Sequence, residues 1–180
     1  PCFNEENTIL EILKKVNLQK SNFKVEVIIS DDGSTDKTPQ IIKSNNNLYD
    51  KLIENKINRG KGAAIRSAIN FASGDIILIQ DADLEYDPKD YPILIKPFIE
   101  TDADIVYGSR FLGGEYVRLH FFWHFLANKF LTIVTNVVTN LNMSDMETGY
   151  KVFKKNVINS IEIKEKSFGF EPEITVKLAK

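Results

Sequence analysis

Short, strongly apolar runs alternate with segments of helical periodicity along most of this chain. The runs Val25–Ile29, Asp75–Gln80 and Ile105–Tyr107 are rich in β-branched residues and are short enough to be buried strands. Between them, apolar residues recur at helical spacing, as in Gly62–Phe71 and Tyr91–Ile99. This alternation predicts an α/β fold in which helices cover a mostly parallel central sheet.

The composition is that of one folded domain. The length of 180 residues suits a single domain, and 43% hydrophobic with 27% charged residues excludes a disordered chain. The formal net charge of -2 and the lack of a basic stripe argue against nucleic acid as a partner. Cys2 is the only cysteine, which excludes an internal disulfide and a metal site built from cysteines.

The two ends of the sequence suggest a piece of a longer protein. The chain begins at Pro1 without an initiator Met and stops within the helical-looking stretch Glu173–Lys180. No uninterrupted apolar run reaches the roughly 18 residues that a membrane-spanning helix needs. We therefore expect residues 1–180 to form a single catalytic domain that lacks its first strand and any C-terminal membrane segments.

An acidic segment directly follows the predicted strand Asp75–Gln80. Asp81, Asp83 and Glu85 stand two residues apart, and alternate residues of an extended segment face the same side. Carboxylate oxygens are ligands that Mg²⁺ and Mn²⁺ prefer, and such an ion also binds substrate phosphates. The segment predicts a divalent metal site, and the alternative is a solvated acidic loop without a ligand.

Three further polar segments fall where ligands bind in open α/β sheets, at or near the carboxyl ends of strands. Asp31-Asp32-Gly33 is suited to accept a nucleobase N–H, whereas the alternative is a plain turn in which the aspartates bind nearby backbone N–H groups. Gly108-Ser109-Arg110 follows the strand Ile105–Tyr107. The Gly-rich segment Asn58–Ala64 leads into a helix N-terminus, a position that favours anions, or is simply a flexible helix entrance.

Taken together, these segments resemble the family 2 glycosyltransferases. The motifs that carry the resemblance occur in one order along the chain, as Pro1–Glu6, Asp31–Asp36, Asn58–Gly62, Asp81–Glu85 and Gly108–Phe111. The resemblance implies the GT-A fold, a Rossmann-like α/β/α arrangement of three layers around a mostly parallel sheet. Within that family, Asp145–Lys151 and Phe168–Glu173 are similar to the branch of polyprenyl-phosphate glycosyltransferases that includes dolichyl-phosphate mannosyltransferase and bacterial undecaprenyl-phosphate enzymes.

The resemblance also implies roles for individual positions. Those implied to surround the nucleotide-sugar donor are Pro1, Asn4, Glu6, Asp32, Gly33, Lys61, Asp81 and Ala82, with Asp32 on the base. Those implied to bind Mg²⁺ or Mn²⁺ are Asp81, Asp83 and Glu85, the last of which is often Gln in the mannosyltransferases. Those implied to be catalytic are Asp83, Arg110, Asp145 and Lys151, with Arg110 on a phosphate and Lys151 on the acceptor phosphate.

Asp145 occupies the position where many inverting members of the family hold a general base. An alcohol acceptor needs such a base, whereas a phosphate monoester is already anionic near neutral pH, because its second pKa is about 6. We therefore expect a direct inverting displacement at the anomeric carbon. In that reaction the metal is the main electrostatic catalyst, and Asp145 orients neighbouring groups.

A stripe of apolar residues at helical spacing runs from Leu119 to Leu141, and Trp123 widens it near its start. Polar residues interrupt the run, so it predicts a helix in the headgroup region of a membrane or, alternatively, a helix packed against the sheet. His120 and His124 lie one turn apart, but no third ligand is near, so we expect no metal between them.

The resemblance implies an enzyme at the cytoplasmic face of a membrane. Its partners would be a UDP- or GDP-sugar and a polyprenyl phosphate, with a homo-oligomer as an open question. The alternatives are a family 2 enzyme that acts on a saccharide hydroxyl, a sugar nucleotidyltransferase and a phospho-receiver module. The Gly-rich loop ending in Arg that marks a nucleotidyltransferase is missing from Pro1–Glu6, and a receiver module does not explain Asp81-Ala82-Asp83.

Overall fold

The computed structural model describes residues 1–110, 122–167 and 169–180. Its helices are α1 (Ile9–Leu18), α2 (Thr38–Ser44), α3 (Lys61–Phe71), α4 (Tyr91–Glu100), α5 (Phe122–Thr139), α6 (Lys155–Asn159) and α7 (Phe170–Leu178). Its strands are β1 (Ile28–Asp31), β2 (Lys51–Glu54), β3 (Ile76–Leu78), β4 (Ile105–Tyr107) and β5 (Lys151–Lys154). The α/β fold that the sequence predicts is confirmed. The strand β4 coincides with its predicted run, β3 is shorter than Asp75–Gln80, and β1 begins and ends later than Val25–Ile29.

The strands pair in two groups. β1 and β2 are parallel, whereas β5 lies between β3 and β4 and is antiparallel to both. β3 and β4 therefore run in the same direction, as expected, but they are separated by a strand that the sequence does not predict. The reason is that β5 contributes only Val152 and Phe153 as an apolar pair, and a lysine flanks them on each side.

The core is built from helix faces that the apolar spacing predicts. In α1, Ile9, Ile12, Leu13 and Val16 lie on one buried face, as residues at this spacing do in a helix. A second cluster packs α3 and α7 against β5, and its buried members include Ile65, Ile69, Phe153, Phe170 and Ile174. The starts of α3 and α7 are therefore held on the same side of the sheet.

The strand order brings several loops to one edge of the sheet. The backbone N–H of Ile79 donates to the carbonyl of Lys151 at 3.1 Å, and that of Gly108 donates to the carbonyl of Tyr150 at 2.9 Å. The carboxyl ends of β3 and β4 therefore meet the start of β5. This edge carries the acidic segment, the segment that ends at Arg110 and the segment that leads from Asp145 into β5.

Helix α5 turns its polar residues inward and its apolar residues outward. Asn128, Thr132 and Thr135 are buried, whereas the side chains of Trp123 and Val137 are 73% and 78% exposed. The alternative in which the apolar stripe packs against the sheet is therefore wrong for the described part of the helix. None of the described helices is both long and apolar enough to cross a lipid bilayer.

Part of the predicted stripe falls outside the described residues. Leu119, His120 and Phe121 belong to this part, and nothing is described of the His124 side chain. The structure therefore does not test the expectation for the two histidines. Phe111 and Phe168, from the motifs quoted above, also lie outside the described residues.

Candidate active site

The N-terminal segment supports the loop after β1. Cys2 forms a parallel bridge with Asp31, and the Asn4 Oδ1 atom accepts the backbone N–H of Thr35 at 2.8 Å. The Glu6 carboxylate accepts the backbone N–H of Lys37 at 3.0 Å. Asn4 and Glu6 therefore stand beside the Asp32 loop, and each holds that loop through its backbone, while their contact with a nucleotide remains a prediction.

Asp32 is 3% exposed and organises a second loop. Its carboxylate accepts the backbone N–H groups of Arg59 and Gly60, at 3.0 and 2.6 Å, and the side-chain amide of Asn55 at 2.8 Å. The adjacent Gly33 has φ +75, and a Cβ there would lie 2.7 Å from the backbone carbon of Ile57. Asp32 thus binds the loop that leads into α3, and its contact with a nucleobase remains a prediction.

The acidic segment is bent rather than extended. Leu84 has φ 62, in the left-handed region, and the Asp83 carboxylate accepts the backbone N–H of Glu85 at 2.9 Å. The premise that Asp81, Asp83 and Glu85 face one side as alternate residues of an extended segment is therefore wrong. Across the described residues, no three His, Cys, Asp or Glu side chains are gathered closely enough to hold a metal ion.

The donor chemistry of this segment nevertheless fits a hard divalent cation. All three side chains offer carboxylate oxygens, and Asp83 and Glu85 are exposed at the open edge of the sheet. The neighbouring Ala82 is buried, which fixes the backbone between Asp81 and Asp83. Metal binding by these residues remains a prediction that rests on this chemistry.

Asp81 is paired with Lys61, the first residue of α3. The Lys61 Nζ lies 2.9 Å from an oxygen of Asp81 and 3.1 Å from an oxygen of Glu171 in α7. Burial lowers the pKa of Lys61, but the two carboxylates outweigh burial and the net shift is upward. The ammonium is therefore charged at neutral pH. The sequence assigns no role to Glu171 beyond its place in the motif Phe168–Glu173.

Arg110 and Asp145 form a bidentate ion pair. The Arg110 Nε and Nη2 donate to the two oxygens of Asp145 at 2.8 and 2.9 Å. The side-chain amide of Asn128, in α5, donates to Asp145 at 2.8 Å. Burial raises the pKa of Asp145, but the bonds from Arg110 and Asn128 outweigh burial, so its net pKa is below its usual value. Asp145 is therefore ionised, with both oxygens occupied.

Lys151 is a third cation at this edge, and it is 1% exposed. Its Nζ donates to the carbonyls of Met146 and Thr148 and lies 4.9 Å from the centre of the Tyr107 ring. Burial lowers the pKa of Lys151 to about 8. In this structure the ammonium thus faces backbone carbonyls and an aromatic ring, and a contact with an acceptor phosphate remains a prediction.

Gln80 joins the acidic segment to the segment before β5, a role that no sequence pattern indicates. Its Oε1 accepts the hydroxyls of Tyr91 and Tyr150 at 3.1 and 3.0 Å, and its Nε2 donates to the carbonyls of Asp81 and Tyr86. Nearby, the hydroxyl of Tyr86 accepts the backbone N–H of Gly149 at 2.7 Å. These hydrogen bonds, which are buried or partly buried, orient the backbone next to Asp81.

Comparison with known proteins links this geometry to one family. The family model described as glycosyl transferase family 2 matches residues 1–161. An uncharacterized protein of Methanocaldococcus jannaschii is 31% identical over 195 residues, covering all of this chain and 80% of the relative. The dolichol-phosphate mannosyltransferase of Pyrococcus furiosus is 27% identical, covering 98% of this chain and 51% of the relative. A low-salt glycan biosynthesis hexosyltransferase of Haloferax volcanii is 28% identical over 98% of this chain and 42% of its own length.

Solved structures support the fold. Glucosyl-3-phosphoglycerate synthase from Mycobacterium tuberculosis, in complex with Mn²⁺, UDP and phosphoglyceric acid, matches with a TM-score of 0.75 and 19% identity, over 98% of this chain and 61% of that one. At this level of identity the likeness carries the GT-A fold alone. The family match and the relatives together confirm the resemblance that the motifs carry, and the chain belongs to glycosyl transferase family 2.

Proposed function

We propose that this chain is the catalytic domain of an enzyme that transfers a sugar from a UDP- or GDP-sugar to a polyprenyl phosphate. The reaction inverts the anomeric carbon, uses Mg²⁺ or Mn²⁺, and takes place at the cytoplasmic face of a membrane. The observation that carries the proposal is the hydrogen bond from Asn128 to Asp145, because it ties a helix with an exposed apolar face directly to the candidate site.

The donor is expected beside Lys61 and the acidic segment. An ammonium at the first residue of a helix adds to the positive end of the helix dipole, and both favour a diphosphate. Asp81, Asp83 and Glu85 are the residues that would hold the divalent ion. When bound, that ion neutralises charge on the departing nucleoside diphosphate. The mycobacterial structure that contains Mn²⁺ and UDP supports a divalent ion and a nucleoside diphosphate as the bound molecules.

The acceptor is expected beside Arg110. A phosphate oxygen of the acceptor attacks the anomeric carbon from the face opposite the diphosphate, and the bond from that carbon to the diphosphate oxygen breaks as the new bond forms. No proton has to be removed, since the acceptor is already anionic. Asp145 suits this reaction because its low pKa and two occupied oxygens make it an orienting group for Arg110 rather than a base.

The lipid is expected along α5. The side chains of Phe122, Phe130 and Ile133 are exposed on its outer face along with Trp123 and Val137, and a helix of this kind lies in the headgroup region of a bilayer. The relative in Pyrococcus furiosus, named as a dolichol-phosphate mannosyltransferase, supports a lipid phosphate as the acceptor.

A transfer assay tests the proposal. The protein is incubated with Mn²⁺, a labelled UDP- or GDP-sugar, and either dolichyl or undecaprenyl phosphate in detergent, and the label is followed into the organic phase. We expect lipid-linked sugar only when the acceptor carries its phosphate, so the free polyprenol is the control. Transfer to an added oligosaccharide but not to either lipid phosphate would contradict the proposal. That result would favour the second candidate, a family 2 enzyme that acts on a saccharide hydroxyl.

A further inference from the structure

Glu171 is a deeply buried carboxylate whose polar atoms are only partly satisfied. It lies in the first turn of α7 and is 4% exposed. One oxygen contacts Lys61, while the other, Oε2, has no hydrogen-bond partner among the described residues. An unsatisfied oxygen on a buried carboxylate destabilises a fold, and an apolar side chain of similar size avoids that cost. Stability alone therefore does not account for a glutamate at this position.

The partners of Glu171 belong to the donor side of the candidate site. Lys61 contacts Glu171 and Asp81 at the same time. A single ammonium therefore links α7 to the loop that follows β3. A Cβ at Gly149 would lie 2.5 Å from the same Asp81 oxygen that Lys61 contacts. Asp81 is thus confined from two sides, by the ammonium and by the backbone before β5.

The backbone around Lys61 and Glu171 is held tightly. Gly60 has φ 95, and a Cβ at that position would overlap the carbonyl of Lys166 in the segment before α7. At Gly62 a Cβ would lie 2.5 Å from the carbonyl of Glu165. The backbone N–H of Ala63 donates to the carbonyl of Lys166 at 3.1 Å. Because the two helix starts are locked together, little remains for Glu171 to add to their packing, and the cation that its carboxylate contacts directly is the Lys61 ammonium.

We propose that Glu171 is a positioning residue that holds the Lys61 ammonium against Asp81 and thereby sets the Asp81 carboxylate at the donor site. This inference rests on the proposed function for its consequence in nucleotide binding. It does not require Glu171 to touch the substrate. In this proposal, Glu171 of the motif Phe168–Glu173 anchors the Lys61 ammonium of the neighbouring helix α3.

A double-mutant cycle tests the inference. We expect Glu171→Gln to weaken binding of UDP or GDP in the presence of Mn²⁺ about tenfold. In a Lys61→Met background we expect the same substitution to change the affinity by less than about twofold. The reason is that a residue that acts only through another residue loses its effect when that other residue is removed. Calorimetric titration measures all four affinities. Equal losses in both backgrounds would overturn the inference, because Glu171 would then act on the nucleotide directly.

Glu173→Gln is the matched control on the same helix turn. Its carboxylate accepts the backbone N–H groups of Lys164 and Glu165 and pairs with Lys177 at 2.6 Å, so the variant loosens the start of α7 without touching Lys61. We expect it to lower thermal stability and to leave nucleotide affinity within about twofold of the wild type. A loss of affinity equal to that of Glu171→Gln would mean that Glu171 matters only for packing and would overturn the inference.

A second measurement needs no substrate. Acetylation of Lys61, followed by mass spectrometry, reports how firmly its ammonium is held, and Lys177 serves as the internal reference. We expect Lys61 to react at least about threefold faster in Glu171→Gln than in the wild type, because one of its two carboxylate partners has lost its charge. An unchanged rate would overturn the inference. If the rate rises while the wild type binds neither UDP nor GDP, the proposed function has failed and the anchoring of Lys61 by Glu171 stands.

Discussion

Two ion pairs stand at the same edge of the sheet and differ in how completely their polar atoms are satisfied. The Asp145 carboxylate accepts two hydrogen bonds from the Arg110 side chain, one from the Arg110 backbone N–H and one from the Asn128 amide. Lys61 shares one ammonium between Asp81 and Glu171, and an oxygen of Glu171 is left without a hydrogen-bond partner among the described residues. The planar guanidinium matches a carboxylate in a fixed geometry, whereas an ammonium is a point charge with three rotatable donors.

This difference suggests a division of labour within the site. In the Arg110–Asp145 pair, on the proposed acceptor side, both carboxylate oxygens are already engaged in hydrogen bonds. In the Lys61 cluster, on the proposed donor side, one ammonium is held between two carboxylates and one oxygen of Glu171 is left as a spare acceptor among the described residues. We expect substitutions in the first to reduce stability and substitutions in the second to reduce binding and turnover.

The largest effect is expected at Asp83. Asp83→Asn removes a charged side chain from the proposed metal site while keeping its shape, so we expect turnover with a polyprenyl phosphate to fall about a thousandfold. Asp145→Asn is expected to lower turnover only about tenfold, because the anionic acceptor needs no general base. Initial rates at saturating donor measure both variants. If Asp145→Asn were the more damaging of the two, the orienting role of Asp145 would be wrong.

The second effect concerns stability and distinguishes the Arg110–Asp145 pair from the Lys61 cluster. Asp145→Asn removes a fully buried charge that pairs with the Arg110 guanidinium, so we expect the free energy of unfolding to fall by about 2 kcal/mol. Glu171→Gln, the same chemical change in the other cluster, is expected to alter it by less than about 1 kcal/mol, since the lost charge was poorly satisfied. Urea unfolding compares the two variants. Equal losses of unfolding free energy in the two variants would mean that the two ion-pair clusters do not differ in their contribution to stability.

The third effect concerns α5, the helix that we propose to contact the membrane. Phe130→Gln together with Val137→Gln replaces two exposed apolar side chains of α5, and we expect binding to vesicles of anionic phospholipid to weaken at least about tenfold. The matched control replaces Ile93 and Ile99 with Gln, since both are equally exposed on α4. Vesicle flotation measures binding. Similar losses in both double variants would mean that α5 has no special affinity for the bilayer.

The pattern of strands in the sequence predicts which segments meet at this site. It does not predict the contacts between their side chains. Asp81 and Arg110 come to one edge because β3 and β4 run in the same direction, and the order of apolar runs predicts that much. The bend at Leu84 is invisible in the sequence, because a left-handed residue in an Asp-x-Asp-Leu-Glu segment has no distinctive composition. The contact of Lys61 with Glu171 joins residues far apart in the chain, and it arises only when α3 and α7 pack together.

The smallest effect concerns Lys151, the third cation of this edge. Its pKa is about 8 in the folded protein and 10.5 as a free side chain, so between these values the unfolded chain binds more protons. The free energy of unfolding therefore rises with pH from about 8, by about 1 kcal/mol or more before the tyrosines begin to ionise near pH 10. Lys151→Met removes this rise. Urea unfolding of both proteins between pH 8 and 10 measures the difference, in which the contribution of the tyrosines cancels. A rise that persists in Lys151→Met would mean that another group causes it, and that burial does not lower the pKa of Lys151.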